Sequence, residues 1–178
     1  MAIAKRKKRF FDVEIPTLGK TTQLQAYEIK ELDGRIFKYD LTRILRGKNM
    51  LLQLQVKVSE DKATSYPIQA KLLPSYLKRV VRKGTNYVEN SFSTECKNGT
   101  VLIKPLLVSR RKISRAVRKA LRDKVKEELE LYVKDKNFEI LFDELLKNQI
   151  QKPLSLKLKK IYPLSLCEIR ILKVTSQK

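Results

Sequence analysis

Lysine and arginine are the residues whose type and spacing could do chemistry in this sequence, and the chemistry they suit is phosphate binding. Lys5, Arg6, Lys7, Lys8 and Arg9 stand in succession with no acid among them. Between Arg110 and Lys126, nine basic residues meet a single acid, Asp123. Arginine presents a planar fork of donors that matches phosphate oxygens two at a time, whereas lysine acts as a point charge. Arg110, Arg111, Arg115, Arg118 and Arg122 are therefore expected to anchor a phosphate backbone, with Lys112 and Lys119 adding field. A third group, Lys78, Arg79, Arg82 and Lys83, occupies one face of a short helical pattern. Over the whole chain, 40 Lys and Arg oppose 19 Asp and Glu, a formal charge of +21 on 178 residues. Such an excess repels itself in a compact state unless a polyanion is near. RNA or DNA is the simplest candidate, because each neutralised phosphate returns counterions to solvent.

An anionic membrane is the competing polyanion. Binding one needs an amphipathic basic helix with large apolar residues, or a lipid anchor. Neither end carries a lipidation motif, and no apolar run approaches the roughly 20 residues of a spanning helix. The opening Met1-Ala2-Ile3-Ala4 runs into charge without the apolar stretch of a secretory signal. The expectation is cytoplasmic residence with no membrane partner.

Composition also argues against catalysis. The chain has no histidine, which removes the commonest general base and metal ligand. Cys96 and Cys167 are far apart and form no CxxC pair, so they read as buried thiols in a reducing compartment. Gly19-Lys20-Thr21 resembles the end of a P-loop, but Glu14 stands where that motif needs a glycine. Asp12 with Glu14, and Asp33 with Asp40, are too ordinary to suggest a metal-dependent nuclease. No catalytic residue, metal site, cofactor or small-molecule substrate is expected, and the chain reads as a non-enzyme.

Local patterning indicates what positions the cations. Residues 1–9 read as a basic arm, disordered until it meets a polyanion. Residues 10–178 read as a single α+β domain. Phe10–Pro16 enters it and residues 17–25 form a polar connection. Gly34–Asp40 and Met50–Val58 alternate apolar and polar residues, which is the strand signature. Pro74 opens a short helix that Gly84 stops. Asn86–Cys96 and Thr100–Val108 read as two strands of a hairpin turning at Asn98-Gly99. Val117, Leu121, Val125, Leu129 and Val133 recur every fourth residue of a long helix with Ser114 as its cap. A second amphipathic helix covers residues 137–150. Gln151-Lys152-Pro153 breaks it, and Leu154–Lys160 is helical again. Leu166–Val174 closes as a strand. Strands followed by helices argue α+β. The expected fold is an antiparallel β-barrel or strongly curled sheet, packed with amphipathic helices and carrying the basic N-terminal arm.

Several residues in order resemble one family. Lys5–Arg9 followed by Phe10-Phe11-Asp12-Val13-Glu14-Ile15-Pro16, Gly34-Arg35-Ile36-Phe37 with Asp40-Leu41, Asn98-Gly99 with the basic helix beyond it, and Ile161-Tyr162-Pro163-Leu164 before a strand bearing Arg170 and Lys173 are similar to the archaeal and eukaryotic small-subunit ribosomal family S-three-a-e, or S-one-e. The resemblance spans about residues 5–174. It implies a β-barrel with packed helices on the platform of the small subunit near the messenger exit. It also implies contact with small-subunit ribosomal RNA, neighbouring ribosomal proteins and nearby messenger RNA. The segment between Arg110 and Arg118 is shorter than in the eukaryotic form, and the long eukaryotic C-terminal tail has no counterpart. Both departures favour an archaeal or reduced ribosome. The alternative to a ribosomal constituent is a free-standing RNA- or DNA-binding regulator, which would need base-reading aromatics on an exposed sheet.

Overall fold

The computed structural model describes residues 7–45, 47–59 and 62–177. They form nine strands, four α-helices and two short 3-10 helices. The strands are β1 (Arg9–Ile15), β2 (Lys20–Ala26), β3 (Ile36–Asp40), β4 (Met50–Ser59), β5 (Lys62–Leu72), β6 (Tyr87–Glu89), β7 (Phe92–Cys96), β8 (Gly99–Ser109) and β9 (Leu164–Gln177). The helices are α1 (Pro74–Val80), α2 (Arg115–Lys134), α3 (Phe138–Leu146) and α4 (Gln151–Leu158). The class is α+β, as the patterning suggested. The sheet is mixed rather than purely antiparallel, because β1 and β5 run parallel at Val13↔Ala63 and Glu14↔Thr64. Among the described residues the strand path β2-β1-β5-β9-β8-β6 is open, with no ladder joining its ends. Lys5 and Arg6 of the basic arm lie outside the described residues. Lys7 and Lys8 are exposed, and Arg9 begins β1, where it pairs with Ala26.

The chain divides into two compact units. The first comprises Met1–Tyr39 and Gln53–Ile68. Here residues 17–25, expected as a polar connection, largely form a strand. β2 pairs antiparallel with β1 from Arg9↔Ala26 to Ile15↔Lys20. The turn between them is the 3-10 segment Pro16–Leu18, closed by Gly19 at φ 60 with its N–H on the Pro16 carbonyl. A glycine suits that left-handed position because a side chain there is strained. The polar composition of β2 hid it, since only alternate residues face the interior. Val13, Ala26, Leu32, Val56 and Ala63 form this unit's buried cluster, with Phe11, Leu24, Phe37 and Val58 packed against it.

The second unit comprises Asp40–Leu52 and Gln69–Lys178. Its spine is the long antiparallel ladder of β8 with β9. β6 and β7 pair with β8, and Gln69–Lys71 of β5 pair with Lys173–Ile171 of β9. The β7–β8 hairpin turns at Lys97-Asn98, with Cys96 opposite Gly99. The expected strand Asn86–Cys96 is two strands, interrupted at Asn90-Ser91. Leu121, Val125, Leu129 and Val133 of α2 are all buried, as the four-residue spacing requires. Ser114 caps this helix, its hydroxyl accepting from the Val117 N–H at 3.3 Å. Phe138, Leu141, Phe142 and Leu145 bury one face of α3. Gln151-Lys152-Pro153 does not lie outside a helix but opens α4. Proline is tolerated in a first turn, whose N–H groups have no intrahelical partner.

Cys167 sits on β9 and is buried. Burial, together with the neighbouring Glu168 carboxylate, pushes its thiol up to about 12. The thiolate is the reactive form. In a Cys96→Ser background, native Cys167 is expected to react with a thiol-specific dye about a thousandfold more slowly than the urea-unfolded chain. Comparable rates in the two states would show the thiol to be accessible. Among the described residues, no helix is long and apolar enough to cross a membrane.

Candidate nucleic-acid interface

The most basic segment of the second unit is held by a small polar latch. The Asn86 side-chain oxygen accepts from the Ile113 N–H at 2.9 Å. The Ser109 hydroxyl lies 2.9 Å from the Asn86 carbonyl and 2.6 Å from the Arg111 carbonyl, positioned to donate to either. The Ser109 N–H also donates to the Asn86 carbonyl at 2.9 Å. These bonds fix both ends of the turn from β8 to α2, so that Arg110, Arg111 and Lys112 are exposed on a braced loop. Ser109 is almost wholly buried, and its bonds explain why a serine is tolerated there. Lys83 is three residues before Asn86, within roughly 11 Å of chain. Lys83 and Arg82, both exposed, are thereby brought towards the Arg110 loop.

The first turns of α2 continue this surface. Arg115 and Lys119 are exposed. Arg118 is half-buried, and its Nε is buried without a hydrogen-bond partner. Arg122 leans across to β6, where its Nε donates to the Glu89 carbonyl at 3.3 Å. The charge of the helix then changes character. Lys124 pairs with Glu127 at 2.9 Å and Glu128 at 3.4 Å, and Lys126 pairs with Glu130 at 3.8 Å. Lys157 of α4 also binds Glu128, which holds that carboxyl below its usual range, with Lys124 assisting. Lys124 and Lys126 are thus neutralised by the protein. Among the described residues, Arg110, Arg111, Lys112, Arg115 and Lys119 have no acid partner.

Those free cations sit where the helix macrodipole is positive, and the first turn of α2 contains no acid. Acids are favoured there and cations opposed, by about 0.3–1 kcal/mol each. Arg115→Glu is therefore expected to raise the thermal midpoint at low salt while weakening RNA binding. Calorimetry and a binding titration on the same variant check both signs; a lower midpoint would refute the dipole argument.

Not every expected residue has a free head group. Arg79 on α1 donates to the Gly47 carbonyl and, at 3.5 Å, to the Asn49 side chain, and it lies over the Tyr76 ring at 5.4 Å. Its guanidinium braces the segment before β4. Lys78 beside it is exposed. In the first unit, Lys8 lies over the Tyr27 ring at 5.6 Å.

Sequence reasoning passed over Glu89 and Lys104 and used Arg170 only as part of a motif. Arg170 Nη1 donates to Glu89 Oε1 at 2.7 Å. Arg170 stands at an irregularity in the β8–β9 ladder, where Lys104 pairs with Ile171 and Pro105 with Ile169, leaving Arg170 between them without a partner. Pro105 was the available signal, since proline inside a strand removes a ladder donor and marks a bulge.

A family model described as the Ribosomal S3Ae family matches residues 4–178. Three relatives carry the name small ribosomal subunit protein eS1. That of Haloarcula marismortui is 28% identical over 182 residues, covering 95% of this chain and 84% of the relative. That of Pyrobaculum neutrophilum is 29% identical over 186 residues, covering 98% and 84%. That of Methanothermobacter thermautotrophicus is 28% identical over 132 residues, covering 73% and 68%. With the match running through both units and the braced basic loop alike, the chain belongs to the Ribosomal S3Ae family.

Proposed function

We propose that this chain is a structural, non-enzymatic constituent of the small ribosomal subunit that binds ribosomal RNA through its phosphates. The observation that carries the reading is the loop Arg110–Lys112 running into Arg115 and Lys119. It is a set of cations without acid partners, braced by Asn86 and Ser109 and placed against the helix dipole. A surface that costs stability in isolation is well suited to a polyanion that repays it. Lys78, Arg79, Arg82 and Lys83 add field from the same unit, and Arg118 and Arg122 extend it along α2. Lys5–Arg9 are a separate set of cations suited to phosphate. The names of the relatives support a ribosomal setting in the cytoplasm. Within it we place the chain on the platform near the messenger exit, beside neighbouring small-subunit proteins and passing messenger RNA.

The free-standing regulator would need aromatics grouped for base stacking. The strongly exposed aromatics on strands are Phe10 on β1 and Tyr87 on β6, one to a strand. Sedimentation through sucrose at low and high salt tests the reading. Co-migration with small subunits at low salt, persisting until high salt strips basic proteins, is the expected result. Free protein at the top of a low-salt gradient would sink it.

A further inference from the structure

The basic surface of α2 adjoins a cleft whose chemistry does not suit phosphate. Glu89, Asn90, Ser91, Lys104, Arg170 and Ile171 line an open cleft of about 350 Å³. Its walls are the β6–β7 interruption and the β8–β9 bulge. Arg122 holds the Glu89 carbonyl and Arg170 its Oε1, so Glu89 is fixed from two sides. Among the described residues, Glu89 Oε2 takes no hydrogen bond. A carboxylate with a free oxygen repels a phosphate but accepts N–H donors. The other groups offer the complement. Asn90 uses its side-chain oxygen on the Ser91 N–H at 2.9 Å, which leaves its amide N–H groups to donate. The Arg170 side chain and Lys104 line the same wall. Ile171 gives an apolar surface against which a ring can lie.

One acceptor beside several donors, over an apolar floor, is complementary to the edge of a nucleobase. Guanine carries the O6 and N7 acceptors favoured by Arg and Lys, with N1–H and amino donors beside O6. RNA sequence is read mostly at unpaired nucleotides whose bases are splayed out and bound along their edges. We propose that this cleft receives one unstacked guanine of the RNA whose backbone lies on the Arg110–Arg122 surface. The proposal rests on the phosphate-binding reading above and gives that interface its one base-specific contact.

The test uses the full chain and five RNA hairpins. Four differ only in a single bulged nucleotide, G, A, C or U, and the fifth is fully paired. The bulged-G hairpin is expected to bind on the order of tenfold tighter than the other four, the discrimination of one good base contact. Glu89→Gln and, separately, Asn90→Ala should bring it level with the others while the salt dependence stays that of the wild type. Asn90→Ala keeps the test open if Glu89→Gln disturbs the Arg170 pairing. Equal affinity for all five hairpins would overturn the pocket and leave the backbone reading standing, as expected if the cleft holds only water. Binding to none of them would overturn both.

Discussion

Alanine at Lys48 is expected to destabilise the second unit by about 3–5 kcal/mol, the usual cost of breaking a buried ion pair from one side. Lys48 Nζ lies 2.6 Å from Glu168 Oε2 and 3.0 Å from Asn148 Oδ1. The Lys48 and Glu168 side chains are only 10% and 11% exposed. Removing the ammonium leaves the Glu168 carboxylate with one described donor, Gln151 Nε2 at 3.3 Å. That residue is poorly placed to compensate. Its Nε2 is shared with the Leu145 carbonyl at 3.1 Å, and its Oε1 is already buried without a partner. A flipped amide would set that oxygen against two acceptors. The cost is the stranded charge, not the net value of the pair, because desolvating both ions offsets most of their attraction. Replacing both, as Lys48→Met with Glu168→Leu, should recover most of the loss. Urea midpoints for the wild type, the single and the double variant separate these terms. A single variant within about 1 kcal/mol of the wild type would show that the pair is not insulated from solvent.

Glutamine at Arg110, Arg111 and Arg115 together is expected to lower the slope of log affinity against log salt by about 2 to 2.7, if each arginine neutralises one phosphate. These three positions isolate the electrostatics. They are exposed, and among the described residues they form no ion pair. Arg118 and Arg122 are worse choices, since one is half-buried and the other is tied to the Glu89 carbonyl. Surface substitutions of this kind usually alter stability by no more than about 0.5 kcal/mol. Binding isotherms over a range of salt, with a urea melt as control, make the comparison. An unchanged slope would remove the loop and first turn of α2 from the interface. Glutamine at Lys124 and Lys126 is the matched control. Their acid partners already neutralise them, so the slope should hardly move.

The legible parts of the fold were those where burial on one face writes a period into the sequence. α2 declared itself through Leu121, Val125, Leu129 and Val133 and was capped where Ser114 suggested. The Asn98-Gly99 pair announced the β7–β8 hairpin, although the two loop residues are Lys97 and Asn98 and Gly99 already opens β8. β4 showed its buried face through Leu52, Leu54 and Val56. Three elements were obscured by residues with two meanings. β2 is built from threonine and glutamine and gains its register from β1 rather than from a hydrophobic face. β5 carries Pro67 within it, which reads against a strand. α4 carries Pro153, which reads as a break unless the helix is known to start at Gln151. The candidate interface was legible as charge, and its location at the start of α2 followed from counting. What could not be counted was engagement. Arg79, Arg122 and Lys124 have ordinary basic side chains in the sequence, and only the fold shows each already holding a partner. Lys48 is the extreme case, a cation buried because residues 100 and 120 positions away supply its ligands.

The strand order of the second unit has a further consequence for how the protein is made. β9 lies between β8 and the end of β5, yet it follows every other strand in the chain. While translation proceeds, the flanking segments of β5 and β8 emerge early and wait with unpaired N–H and C=O groups along the edges that β9 will cover. Bare apolar edges of this kind recruit one another between chains. Leu106, Leu107 and Val108 of β8, buried on both faces in the finished protein, are the part most in need of cover. The net charge of +21 would act on the nascent chain as well, keeping neighbouring copies apart until β9 emerges.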